Sequence, residues 1–222
     1  MSHTLKTKSA EEKLKLFKRY KVTLNNQYKL DDDGKYVLTS EQINDVVKKM
    51  IDVKENETTK IVKTKIKRGL VDVVVYEDII DLEAMSQSSR RKVVGKYIKL
   101  IFAGSNIKTI DGKSIGIKSR GGVGKMHFNE KQKIALFAGD MVQIGVPTLV
   151  VKDVRKTKVK WHYYDSYIAF DNKVFYGNIN IKEANGDFSF YDINKIKEVE
   201  VTSALNKQGD SNLNNNITNS NE

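Results

Sequence analysis

The sequence predicts an α+β fold, with N-terminal and central helices packed on a mainly antiparallel C-terminal β-sheet or small barrel. Three observations predict it: two segments with apolar residues at helical spacing in the first half, an alternating stretch between them, and a series of short β-like runs after Pro147 joined by tight turns. A chain of 222 residues can bury one main core with at most a small satellite. Its expected divisions are 1–58, a helical N-terminal segment; 59–202, the α+β main domain; and 203–222, a polar tail that is disordered on its own.

Ser9, with Glu12 three residues on, forms a capping box that starts a basic helix through Leu14, Phe17 and Tyr20. Its apolar face is thin, so this helix needs a partner. Asp31-Asp32-Asp33-Gly34 makes a turn, and Thr39 with Gln42 forms a second capping box. Ile43, Val46, Val47, Met50 and Ile51 follow it at helical spacing. From Lys60 the period changes to two: Val62, Thr64 and Ile66 alternate with Lys63, Lys65 and Lys67, and Val71 to Tyr76 is a fuller apolar strand. A further helix is expected from about Ser89 to Ala103, with Val93, Val94, Tyr97, Ile98 and Ile101 inward and Gly104 as its stop. Arg90, Arg91, Lys92, Lys96 and Lys99 then occupy its other side.

Ile107 to Ile117 reads as a hairpin around Asp111-Gly112, a pair that tolerates the positive φ of a type I′ turn. Ile-Phe-Ala-Gly ending at Gly104 is echoed by Leu-Phe-Ala-Gly ending at Gly139, an apparent repeat of helix, glycine stop and strand. Beyond Pro147, strands are expected at Leu149–Val154, Lys158–Tyr164, Tyr167–Phe170, Lys173–Ile181, Phe188–Ile193 and Val199–Val201, with turns at Asp171-Asn172 and Asn185-Gly186. Links this short favour antiparallel neighbours.

The absence of cysteine removes disulfides, thiolate zinc sites and cysteine nucleophiles. No apolar run reaches the ~20 residues of a membrane helix, and the lysine-rich Met1–Tyr20 lacks the apolar block of a signal peptide. A cytoplasmic or virion location without a membrane is therefore expected. The net charge of +11 attracts anionic partners, DNA or RNA first among them. One proline beside abundant Lys, Asn and Ile fits an AT-rich genome, as in many bacteriophages and some bacteria.

Ser119-Arg-Gly-Gly-Val-Gly-Lys125 resembles part of the Lys-Gly-Gly-x-Gly-Lys-Thr phosphate loop of ParA/MinD-type ATPases. The resemblance implies glycine amides around a nucleotide's phosphates, but Arg120 replaces the first lysine and Met126 stands where a hydroxyl would hold magnesium. A glycine-rich connection between hairpin and helix accounts for the segment without nucleotide chemistry, and Arg120 and Lys125 can still hold a nucleic-acid phosphate. Asp31, Asp33, Gly34 and Glu41 do not make a calcium loop, because with Gly34 at its sixth position the first and twelfth are Lys29 and Ser40. His3, His127 and His162 lie on separate segments, and Asp72, Glu77, Asp78, Asp81 and Glu83 lack a lysine in nuclease spacing. No catalytic residue, metal ligand or cofactor is assigned.

The polyanion-binding candidates are Lys63, Lys65, Lys67 and Arg68 on a strand, Arg90, Arg91, Lys92, Lys96 and Lys99 on a helix, and Arg120 and Lys125 in the glycine-rich segment. The first two groups make one face only if strand and helix pack side by side. A third group, Arg155, Lys156, Lys158 and Lys160, runs into Trp161, Tyr163, Tyr164 and Tyr167, a pattern that can stack single-stranded bases but also suits a half-buried strand. The leading expectation is a non-enzymatic assembly subunit that makes a homo-oligomer or joins a larger complex, such as a bacteriophage particle. A basic nucleic-acid-binding accessory protein is the alternative, and a nucleotide-binding enzyme or nuclease comes after both.

Overall fold

A computed structural model describes residues 20–24, 27–117, 129–170 and 173–202. The first expected helix, the glycine-rich segment with Arg120 and Lys125, the Asp171-Asn172 turn and the C-terminal tail lie outside these residues.

Lys29–Leu30 (β1) and Tyr36–Val37 (β2) form a small hairpin. Asp31 shapes its turn by accepting the amides of Asp33 and Lys35 on Oδ1, while Gly34 takes φ +70°. Helix α1 (Ser40–Asn56) then starts at the expected capping box: Thr39 Oγ1 accepts the Gln42 amide at 3.3 Å, and Gln42 Oε1 accepts the Thr39 amide at 2.8 Å. Ile43, Val46, Val47 and Met50 are buried along its inner stripe.

Strands β3 (Ile61–Ile66) and β4 (Gly69–Val75) form an antiparallel hairpin, and helix α2 (Gln87–Gly104) begins at Ser86, whose hydroxyl accepts the Ser89 amide. Gly104 is the last helical residue, and Ser105 returns its amide to Ile101. At Asp111-Gly112 only Gly112 takes positive φ, with its amide bonded to Thr109 O. The expected type I′ turn, which needs both residues at positive φ, is therefore absent here. The short β5 (Ile115–Ile117) pairs parallel with a distant strand.

Helices α3 (Asn129–Ala135) and α4 (Ala138–Ile144) correct the apparent repeat. Gly139 lies inside α4 and stops nothing. A Cβ there would sit 2.9 Å from Ile107 Cδ1, so this glycine is a close-packing residue. Lys54 at the end of α1 reaches Asp140 on α4 at 2.7 Å, both side chains largely buried, and Thr59 Oγ1 donates to the same carboxylate.

The C-terminal strands are β6 (Val146–Lys152), β7 (Val159–Phe170), β8 (Lys173–Ala184) and β9 (Asp187–Val199). Each of β7 and β9 is continuous where two strands were expected. In β7, Asp165 stays in the ladder because its Oδ1 accepts Tyr176 Oη at 2.6 Å and Asn178 Nδ2 at 3.0 Å from β8. Asn185 and Gly186 both take positive φ, as expected of the tight β8–β9 turn.

Among the described residues, seven strands form one sheet in the order β3-β4-β7-β8-β9-β5, with β6 also paired to β7. The β3–β4, β6–β7, β7–β8 and β8–β9 pairs are antiparallel; β4–β7 and β5–β9 are parallel. The sheet is not closed into a barrel, although Val201 bridges Ile66 and the Thr202 amide reaches Lys65 O at 2.9 Å, so its two ends curl toward each other.

The main core lies between the helices and one sheet face. It joins Val22, Leu24 and Leu38 to α1, α2, α4 and to Tyr164, Ile168, Ile179, Ile181, Phe190 and Ile193. Phe102 of α2 stacks on Phe190 of β9 at 4.9 Å. The segment before residue 58 thus shares its core with the sheet. A second, smaller core of Ile66, Val73, Tyr167, Ala169 and Val174 fills the opposite face near the curl.

Candidate assembly edge

β6 follows α4 directly and lies along the first half of β7, from Val146 opposite Asp165 to Lys152 opposite Lys160. The second half of that same side of β7 is taken by β4, which pairs with Ile168 and Ala169. β6 has β7 as its one ladder partner among the described residues, which leaves its outer side open. Pro147, which has no N–H to give a ladder, is the type of residue expected on such an edge. A bulge between Pro147 and Leu149 is held by Thr148 Oγ1 donating to Tyr163 O at 3.1 Å.

Every residue of β6 is exposed. Val146, Leu149, Val150 and Val151 are each 40–57% exposed, and Val154 just beyond is fully so. Other exposed large apolar side chains, such as Leu30, Leu70, Leu100 and Ile110, are scattered. Isolated apolar residues at a surface are ordinary; a contiguous apolar strand with an open edge marks an interaction surface.

The hairpin tip beyond β6 is fixed. Asp153 Oδ1 accepts the Arg155 amide and its Oδ2 accepts Trp161 Nε1, both at 2.9 Å, and the Val159 amide donates to Lys156 O at 3.0 Å. These bonds, the indole N–H first, hold the Asp153 carboxyl below the usual range. On β7 beside β6, His162 is buried opposite Val150 with its Nε2 2.7 Å from Glu183 Oε2. That hydrogen bond, with Lys160 at 3.0 Å, lowers the Glu183 pKa. The His162–Glu183 pair escapes sequence reading because the two residues are brought together only by the β7–β8 register.

The expected basic face is divided. Lys63, Lys65, Lys67 and Arg68 are exposed on and just after β3, with Lys63 paired to Asp72 at 2.7 Å. On α2 the arginines and lysines separate. Arg90 stands three, four and seven residues before Val93, Val94 and Tyr97, so it heads the buried stripe, and burial lowers its guanidinium pKa. Arg91 is half-buried. Lys92 and Lys99 project to solvent on the far side, and Lys96 between them bonds Asn44 of α1. Helix α2 packs chiefly on α1, α3, α4 and β5 and over β9, and β3 is not among its main neighbours, so the strand and helix groups are not side by side. The third group splits its aromatics between faces: Tyr167 belongs to the smaller core, Trp161 meets Tyr191 edge-on at 4.8 Å, and Tyr164 is buried in the main core. Lys152, Lys158 and Lys160 do converge, around a depression of about 230 Å³ beside Glu183 and Asn185.

The acidic residues have local partners. Glu77 pairs with Lys21, Glu83 with Lys133, and Asp81 Oδ1 accepts the amides of Glu83 and Ala84. Among the described residues no group of three or more His, Asp or Glu side chains gathers as a metal site requires, and no helix is long and apolar enough to cross a membrane. No family model, curated protein or solved structure matches this chain.

Proposed function

We propose that this protein is a non-enzymatic assembly subunit that joins its neighbours through the edge of β6. The observation that carries the reading is a seven-residue strand, exposed along its whole length, with an apolar surface and a side that has no ladder partner among the described residues. An exposed edge of this type pairs with another chain unless something blunts it; Pro147 and the bulge beside it blunt the start of β6, while Leu149, Val150 and Val151 carry no charge and no proline. Covering it removes apolar surface from water and satisfies its outward N–H and C=O groups together, which makes it a stronger docking element than a flat patch of equal area. A bacteriophage particle is the setting that the composition favours.

Native mass measurement tests this reading. The wild-type protein is expected at multiples of its 25.3 kDa subunit at about 100 µM, a range that captures micromolar self-association. The L149K/V151K variant is expected at the monomer mass with an unchanged circular dichroism spectrum. A wild-type protein that stays monomeric throughout contradicts the proposal.

A second reading, contact with DNA or RNA, is favoured by the convergence of Lys152, Lys158 and Lys160 near Arg155 and Lys156. It predicts oligonucleotide binding that weakens with salt, with a shallower salt slope after K158A/K160A.

A further inference from the structure

The occupant of the β6 edge can be narrowed from the strand's own residues. Building on the assembly reading, we propose that it is β6 of a second copy of this chain, paired antiparallel about a two-fold axis at Val151.

Backbone direction sets the register. The Asp153 amide donates to Val159 O at 2.9 Å, so this pair is hydrogen-bonded within the hairpin. Antiparallel ladders alternate, so Val151 and Leu149 direct their backbone groups to β7 while Val150 and Lys152 direct theirs outward. A two-fold axis at Val151 places Val150 of each copy opposite Lys152 of the other. These outward-facing residues then exchange both N–H···O bonds in each pair, and the two Val151 residues meet as a non-hydrogen-bonded pair.

Charge favours the same arrangement. In a parallel pairing Lys152 would face Lys152, and the tips bearing Arg155, Lys156 and Lys158 would lie side by side, a costly contact for a chain of net charge +11. The antiparallel pairing sends the two tips to opposite ends. Each tip then approaches the start of the other copy's β6, where Val146 pairs with Asp165. Lys152 covers Val150 of the second copy with its aliphatic stem and keeps its ammonium in water. Both edges are consumed at once, so the contact closes as an isologous dimer and does not propagate. One short strand pair buries less than the ~800 Å² per partner of a standard interface, so the dimer is expected in the micromolar range.

The chain has no cysteine, which makes thiol cross-linking a clean test. Non-hydrogen-bonded pairs hold their Cα atoms about 4.5 Å apart, within disulfide reach. Under mild oxidation V151C is expected to give a disulfide-linked dimer at least about tenfold faster than V154C or L70C, although Val154 and Leu70 are the more exposed positions. Linking of V151C no faster than these controls overturns the proposal. If the wild-type protein forms oligomers by native mass while V151C fails to link, the two-fold pairing falls and the assembly reading stands. A wild-type monomer removes both. Association that appears only when an oligonucleotide or an unrelated extended peptide is added, without V151C linking, assigns the edge to that ligand and contradicts self-pairing.

Discussion

The two strands β3 and β6 both border the sheet, yet they treat exposure in opposite ways. β3 exposes Ile61 at its start but places Lys63 and Lys65 on the same outward face, with Thr64 and Ile66 buried on the other. Its end is also approached by Val201 and Thr202. Lysine on an edge strand discourages pairing with another chain, because any partner must desolvate or repel it. β6 is apolar on both faces and carries its single lysine at the last position. The chain thus guards β3 with lysines, whereas on β6 the proline and bulge protect only the first residues and leave Leu149, Val150 and Val151 unguarded. This contrast argues that the open strand is a used surface.

The largest expected effect lies beneath β3. Ile66 is buried in the smaller core, so I66A should destabilise the fold by about 2–4 kcal/mol, measured by urea unfolding. The L149K/V151K variant tests the other edge: folding stability should move by no more than about 0.5 kcal/mol, since both side chains are exposed, while self-association falls at least about tenfold. Equal damage to folding by both variants would erase the distinction between the strands.

Removing the lysines from β3 sharpens the comparison in the opposite direction. K63V/K65V is expected to gain concentration-dependent association, visible in sedimentation velocity. A smaller effect comes from Glu183, whose carboxyl is held below its ordinary pKa by His162 and then Lys160. A lowered folded pKa stabilises the protein above the unfolded carboxylate range, and that contribution is lost as pH falls through the folded value. E183Q should therefore be less stable than wild type at neutral pH, and the gap should close on acidification. The exposed Lys63–Asp72 pair is expected to matter least, with D72N costing under about 1 kcal/mol.

Sequence reading succeeded where a local rule decides the outcome. The Thr39/Gln42 cap and the Asn185-Gly186 turn need only their own neighbours, and the alternation that buries Thr64 and Ile66 is written in the strand itself. It failed where a distant contact decides. Asp165 reads as a break until Tyr176 and Asn178 arrive from β8 to satisfy it. Gly139 reads as a helix stop until Ile107 packs against it. Arg90 reads as surface because its charge outweighs its position on the apolar stripe. The β6 edge was hidden for the same reason: Val-Pro-Thr-Leu-Val-Val has the composition of a core strand, and only the fold shows that nothing among the described residues covers its outer side.

Amide hydrogen exchange at Val150 and Lys152, followed as protein concentration is raised, addresses that edge most directly. Fast exchange is expected in dilute solution, with protection that grows with concentration and is absent in L149K/V151K. Exchange that stays fast at every concentration, or protection that is the same in dilute and concentrated samples, would contradict pairing at this edge.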